Sequence, residues 1–312
     1  MDLILQIILL VLGFIMLIKG ADWFVEGTSG IAEKFGIPQI VIGLTIIAMG
    51  TSAPEAAVSL TAALKGNAGI TIGNVVGSNI LNILIILGVT GTIVNVAIRK
   101  STLVYEIPYM ILVTVVLLLM GMTGNSINLV EGIILWALFI LYLGYLFKIA
   151  KNKEKVDEVE SVEQSAPIWK LIIFAILGGG LIIWGSDITV NSATYIAQTI
   201  GLSERFIGLT IVALGTSLPE LVTSVTAALK GKADIAIGNI VGSNVFNILF
   251  VIGTTALITP VIFEAQFIID TSVAIAVGAL LWISVCKTKE LRRNWSITML
   301  VGYLGYFLYL IR

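Results

Sequence analysis

Residues 43–66 read GLTIIAMGTSAPEAAVSLTAALKG, and residues 208–231 read GLTIVALGTSLPELVTSVTAALKG. The likeness runs on. GNVVGSNILNIL at 73–84 faces GNIVGSNVFNIL at 238–249, so that Gly43–Gly88 aligns without gaps on Gly208–Gly253 at an offset of 165 residues. About 30 of the 46 positions are identical, which marks an internal duplication.

Outward from this repeat, the chain reads as a membrane protein. Of its 312 residues 58% are hydrophobic and only 12% charged, whereas soluble domains carry about 25% charged residues. A spanning helix needs about 20 mostly apolar residues. Ten windows fit: Leu3–Ile18, Ile40–Leu64, Ile70–Val94, Leu103–Met122 and Leu129–Phe147 in the first half, then Ile168–Val190, Phe206–Leu229, Ile235–Ile258, Phe267–Val285 and Ile297–Ile311. Leu3–Ile18 lacks the basic start and small-residue cleavage site of a signal peptide and is read as a first span. The fold class is all-α, a polytopic membrane protein of ten transmembrane helices. Residues 1–147 form one five-helix repeat, the charged stretch 148–167 a cytoplasmic linker, and residues 168–312 the second repeat.

Five helices separate equivalent points, and an odd number reverses the direction in which the second copy crosses the bilayer. The repeats are therefore expected to be inverted, as in many secondary transporters. With the N-terminus outside, fifteen of the eighteen Lys and Arg residues fall on the cytoplasmic side and only Lys65, Arg205 and Arg312 on the other. The expectation is a multi-pass protein of the cell membrane with both termini extracytoplasmic.

Both copies place G-T-S-x-P-E inside an apolar span: Gly50, Thr51, Ser52, Pro54, Glu55, and Gly215, Thr216, Ser217, Pro219, Glu220. Proline has no N–H and clashes with the carbonyl four residues back, and glycine weakens the helix before it. The helix should break there and release carbonyls near Ala48 and Ala213. Exposed backbone at membrane depth is tolerated only around a cavity or ion site, and a carboxylate near mid-bilayer costs about 2.5–3.5 kcal/mol on insertion scales. Glu55 and Glu220, with the hydroxyls beside them, are therefore candidate ion ligands. On the following helices Asn74, Ser78 and Asn82, matched by Asn239, Ser243 and Asn247, recur every four residues on one face and are expected to point at the carboxylates. Interhelical hydrogen bonding is the plainer role for these amides and serines, and close helix approach the plainer role for Gly73, Gly77, Gly238 and Gly242. The donor set is all oxygen, which suits hard cations such as Ca²⁺ and Na⁺.

The chain has no histidine and one cysteine, Cys286, expected to be a buried small hydrophobe, so no disulfide and no thiolate or imidazole metal site can form within it. A net charge of −1 without a basic stripe argues against nucleic acid. Asp22, Asp187, Glu106 and Asp270 lie near predicted helix ends and are expected to be solvated or capping. No cofactor, no EF-hand and no protein partner is expected, only the lipid bilayer and the transported ions.

The two G-T-S-x-P-E and G-S-N-x-x-N segments resemble the α-repeats of the calcium/cation antiporter superfamily, and more narrowly its prokaryotic-type sodium/calcium exchangers. The resemblance implies antiport of Ca²⁺ against Na⁺ by alternating access. It implies a central Ca²⁺ site from Glu55, Glu220, Thr51 and Thr216, with sodium sites completed by Ala48, Ser52, Ser78, Ala213, Ser217 and Ser243. It also implies a core of the second, third, seventh and eighth helices, across which the first and sixth move as a gating pair. One departure stands out: many sodium exchangers carry an acid at the position of Asn247, whereas here Asn82 and Asn247 are both amides. That leaves sodium stoichiometry, and a part for K⁺ or H⁺, open. A Ca²⁺/H⁺ antiporter using Glu55 and Glu220 as proton acceptors is the near alternative, a cation channel a farther one. An intramembrane hydrolase using Ser52 or Ser217 lacks the histidine that would activate its serine.

Overall fold

A computed structural model describes residues 3–64, 69–151, 166–200 and 213–310. The chain opens with α1 (Leu3–Phe35), followed by a segmented helix: α2 (Gln39–Ile42), a π-helical turn Gly43–Ile47, α3 (Ala48–Thr51) and α4 (Ala53–Leu64). Next come α5 (Gly69–Leu81), a π turn Asn82–Leu87, α6 (Gly88–Ile93) and strand β1 (Val96–Ala97). A π turn at Thr102–Glu106 leads into α7 (Ile107–Gly124), β2 (Ser126–Ile127) and α8 (Leu129–Lys151). The second half holds α9 (Ile168–Thr199), α10 (Ala213–Thr216), α11 (Leu218–Leu229) and α12 (Ala233–Phe246). After a π turn at Asn247–Ile252 come α13 (Gly253–Ile258), β3 (Val261–Ile262), α14 (Ala265–Cys286), β4 (Glu290–Leu291) and α15 (Arg293–Leu310).

Among the described residues seven helices are long and apolar enough to cross a membrane, and the bent pair Gln39–Thr51 and Ala53–Leu64 makes an eighth. Two of them form the centre. Ala233–Ile258 is 94% buried and Thr71–Ile93 72%, against 22% for Leu129–Lys151, whose outer face is left for lipid. α12 packs on the π turn Gly43–Ile47, and α5 packs on α4 and on the π turn Asn247–Ile252. The close contacts use glycine: a Cβ on Gly238 would lie 3.1 Å from the Cα of Gly43, and one on Gly242 2.8 Å from the Leu44 Cα. Lipid tails are as apolar as leucine, so helices associate by such close packing and by polar contacts rather than by a hydrophobic drive. The first-half glycines behave differently. Gly73 faces Phe267 at ordinary distance.

α1 is far longer than its apolar window, because Lys19, Asp22 and Glu26 interrupt the hydropathy without interrupting the helix. It runs antiparallel along α9, the most extensive helix pairing among the described residues. A Cβ on Gly20 would meet the Gly178 carbonyl and the Ile182 nitrogen at 2.9 Å, and one on Gly185 the Gly13 carbonyl at 2.9 Å. Gly13, Gly20 and Gly27 recur every seventh residue, and Gly178 and Gly185 are the first two displaced by 165. The duplication therefore supplied both sides of this seam.

Two short antiparallel sheets tie the halves together: β1 pairs with β4 (Val96 opposite Leu291) and β2 with β3 (Ser126 opposite Ile262). β1 and β3 are equivalent strands, displaced by 165 residues. Asn125 and Lys289, the two non-glycine residues with positive φ among the described residues, are displaced by 164. The π turn Thr102–Glu106, which has no counterpart in α14, takes up the extra residue. Residues 148–151 of the expected linker continue α8, and the rest of it, with the expected start of the seventh span at Phe206, lies mainly outside the described residues. Cys286 closes α14 and is half-buried rather than sealed, its thiol donating to the Ile283 carbonyl.

Candidate functional site

The break lies where proline and glycine place it. The axis bends by 48° between Gln39–Thr51 and Ala53–Leu64, with Ser52 off helical geometry at φ −82°, ψ 7° and Ser217 alike at φ −93°, ψ 6°. Proline removes the partner of the carbonyl four residues before it, here that of Gly50 and of Gly215, and not that of Ala48. Ala48 keeps its helical bond from the Ser52 N–H and also accepts from the Ser243 hydroxyl at 3.4 Å. In the second copy the freed Gly215 carbonyl is taken by the Ser186 hydroxyl of α9 at 2.8 Å. Ala213 opens α10.

Directly after each break stands a glutamate, and each is buried to 1% exposure. The serines reach across: the Ser52 hydroxyl donates to Oε1 of Glu220 at 2.7 Å, and the Ser217 hydroxyl to Oε1 of Glu55 at 3.3 Å. Thr216 faces Glu55, while Thr51 and Ser243 face Glu220. Each carboxylate is thus held by hydroxyls of the other copy, and the two lie together at the centre of the bundle. Oε2 of both glutamates is buried without a partner. The same is true of Oδ1 of Asn82 and Oδ1 of Asn247. Those two amides begin the π turns that pack, respectively, on α11, which carries Glu220, and on α4, which carries Glu55. Buried polar atoms left unpaired cost about 1–3 kcal/mol each, and here four such acceptors recur as two symmetric pairs. Among the described residues no cluster of three carboxylates, histidines or cysteines forms.

Of the stripe expected to point at the carboxylates, Ser243 faces Glu220, whereas the Asn74 and Asn239 amides bond elsewhere. The Asn74 amide donates to the Glu55 backbone carbonyl at 3.2 Å and the Ser59 hydroxyl at 2.9 Å, and Asn239 donates to the Glu220 carbonyl at 3.3 Å and Ser224 at 2.9 Å. Asn239 also accepts from the Thr51 hydroxyl at 2.9 Å. These amides brace the backbone that carries each acid. Ser78 is buried on the same face.

Two residues escaped the reading of the sequence. Asn79 and Asn244 donate to one another's backbone carbonyls across the α5–α12 crossing, at 3.1 and 3.2 Å. Their side-chain oxygens take the amide protons of Asn247 and Asn82, at 3.2 and 2.9 Å. The free oxygens of Asn82 and Asn247 are oriented by this pair. Both stand inside G-S-N-x-x-N, one place off the four-residue stripe, and their recurrence in both copies was the available signal.

The other acids divide. Asp22 pairs with Lys230 and Asp270 accepts from the Tyr306 hydroxyl at 3.0 Å. Glu106, expected to be solvated or capping, is instead buried to 1% exposure at the end of the π turn, where it accepts the Tyr145 hydroxyl.

Comparison with known proteins gives this arrangement its context. The chain is 39% identical to the inner membrane protein YrbG of Escherichia coli over 263 residues, 81% of this chain and 79% of that one. It is 31% identical to the sodium/calcium exchanger MaX1 of Methanosarcina acetivorans, over 97% of each. Its fold superimposes on the solved structure of the sodium-calcium exchanger NCX_Mj, soaked with zero Na⁺ and Ca²⁺, with a TM-score of 0.87 at 30% identity, covering 99% of this chain and 100% of that one. The family described as sodium/calcium exchanger protein matches residues 5–148 and 170–312, so both halves, and with them both G-T-S-x-P-E segments, are included, and the chain belongs to the sodium/calcium exchanger family.

Proposed function

We propose that this multi-pass membrane protein exchanges Ca²⁺ for Na⁺ by alternating access around Glu55 and Glu220. The observation that carries the reading is the reciprocal hold of the two carboxylates by Ser217 and Ser52, with both Oε2 atoms left unpaired. Two carboxylates neutralise one Ca²⁺, and Ca²⁺ takes six to eight oxygen ligands. Glu55, Glu220, Thr51 and Thr216, with the oxygens of Asn82 and Asn247, supply such a set. Ser52, Ser78, Ser217, Ser243 and the backbone at Ala48 and Ala213 complete sodium sites that use the same carboxylates. One site that either Ca²⁺ or several Na⁺ can neutralise, but not both together, couples the two fluxes. With an amide rather than an acid at position 247, the fixed charge is two, and Na⁺ rather than a proton is the counter-ion we favour.

In this reading the chain has ten spans in two inverted repeats. The pairing of the sheets supports it: β1 comes after the third span of the first half and β4 after the fourth span of the second, and these loops share a membrane side only when the halves are inverted. The α1–α9 pair, lying outside the buried centre, is the moving part, alternately exposing the site to either side. The test is ⁴⁵Ca uptake by sodium-loaded proteoliposomes. Uptake is expected to follow the imposed sodium gradient and to survive a proton ionophore; uptake that tracks pH and ignores sodium assigns the protein to Ca²⁺/H⁺ exchange instead.

A further inference from the structure

Away from the central site, Glu106 forms a second buried acidic centre, at the end of the bundle where α7 begins and α8 finishes. Its Oε1 accepts the Tyr145 hydroxyl at 2.6 Å, while Oε2, the Tyr142 hydroxyl and the Thr102 hydroxyl are buried without partners. A cavity of about 390 Å³ is lined by Glu106, Tyr142 and Tyr145 among others. Its walls are aromatic and aliphatic: Tyr109 stacks on Tyr142 at 5.3 Å, Tyr105 tilts against Tyr145 at 6.2 Å, and Leu112 and Leu141 line it toward the middle of the span. Val104, Tyr105, Leu112 and Leu141 are exposed on the outer faces of these helices, so the mouth opens sideways onto lipid.

The chemistry of the recess selects its occupant. A bare metal ion needs a shell of oxygens about 2–2.6 Å away, which one carboxylate oxygen and two hydroxyls on one wall of so large a space do not provide. A neutral apolar molecule fills the volume but offers nothing to the carboxyl group and the tyrosine faces. Tyrosine faces beside a carboxylate attract organic ammonium groups, and a volume of 300–1,000 Å³ is that of small-molecule sites. We propose that this recess binds an ammonium carried on an apolar chain, supplied from the bilayer, with the cation against Glu106 and the tyrosines and the chain running along Leu112 and Leu141. The second half contains an internal comparison. Asp270, displaced from Glu106 by 164, accepts from Tyr306, displaced from Tyr142 by the same amount, but Asp270 is only half-buried.

The experiment measures binding of radiolabelled dodecyltrimethylammonium to the full chain in lipid nanodiscs. Saturable binding is expected, weakened about tenfold or more by Glu106→Gln and abolished by Leu141→Trp, which fills the cavity and keeps the acid. Asp270→Asn should leave affinity unchanged, and the uncharged isostere with carbon in place of nitrogen should compete poorly. Equal affinity for the isostere, or unchanged binding in either Glu106→Gln or Leu141→Trp, overturns the proposal. If Glu106→Gln does not fold, Leu141→Trp and the isostere still decide it. Because the readout is binding and not ion flux, the outcome is independent of which ions the protein exchanges.

Discussion

At the scale of single residues, charge and dipole have separable roles. Glu55→Gln and Glu220→Gln keep volume and hydrogen-bonding capacity but halve the compensating charge, so ⁴⁵Ca flux per inserted protein should fall to background in each. Near-normal flux in either variant means that its carboxylate is not a calcium ligand. Asn82→Ala and Asn247→Ala remove one neutral ligand each and should cost about tenfold or less in apparent Ca²⁺ affinity, on the scale of one hydrogen-bonding group. Asn79 is different, since its amide touches only other amides and backbone. Asn79→Ala leaves the Asn247 amide unpaired and should destabilise the folded protein by about 1–2 kcal/mol, read as a lower unfolding midpoint in mixed micelles; an unchanged midpoint would contradict the bracing role. The carboxylates and the residues of G-T-S-x-P-E were legible because two copies told the same story. Glu106 was not. Whether an acid near a helix end faces water or protein depends on the local turn, and one residue gained in a π turn rotates the rest of the helix by about 100°, a change that apolar periodicity does not record.

At the scale of elements, the bends and the seam differ in how they could be foreseen. Pro54 and Pro219 announce a break by missing N–H groups; the first helix bends beside Pro54, and the second leaves helical geometry at Ser217. Which atoms are released was not legible, since the Ala48 carbonyl stays bonded while Gly215 finds Ser186 in a different helix, a partner that only the packing brings near. The α1–α9 seam was in the sequence as glycines at seven-residue spacing, but a glycine count says nothing of which helix will lie against them. Gly20→Ala and Gly185→Ala each drive a methyl into backbone of the partner helix, where no side chain can swing aside. Each should cost about 1–3 kcal/mol through overpacking and lower the midpoint of thermal unfolding. Gly144→Ala, where a Cβ meets nothing within 4 Å, is the neutral control. Equal midpoints for Gly20→Ala and Gly144→Ala would mean that the seam is looser than described.

At the scale of the whole molecule, the duplication carried most of the architecture: two halves, two acids and the exchange of hydroxyls between them. Cysteines introduced at the N-terminus and after Lys151 in a Cys286→Ser background should be labelled from opposite membrane sides; labelling from one side defeats the inverted arrangement. Two-residue strands were not legible, because Val96–Ala97 and Ser126–Ile127 carry no alternation long enough to read. Those strands nonetheless join β1 to β4 and β2 to β3, each pair crossing from one half to the other. Covalent continuity between the halves is therefore redundant: neither copy owns a finished edge, and each completes the other. A gene cut within residues 152–165 should yield two polypeptides that find one another when made in the same cell, purify as a one-to-one pair and together transport ⁴⁵Ca, whereas either alone should be degraded.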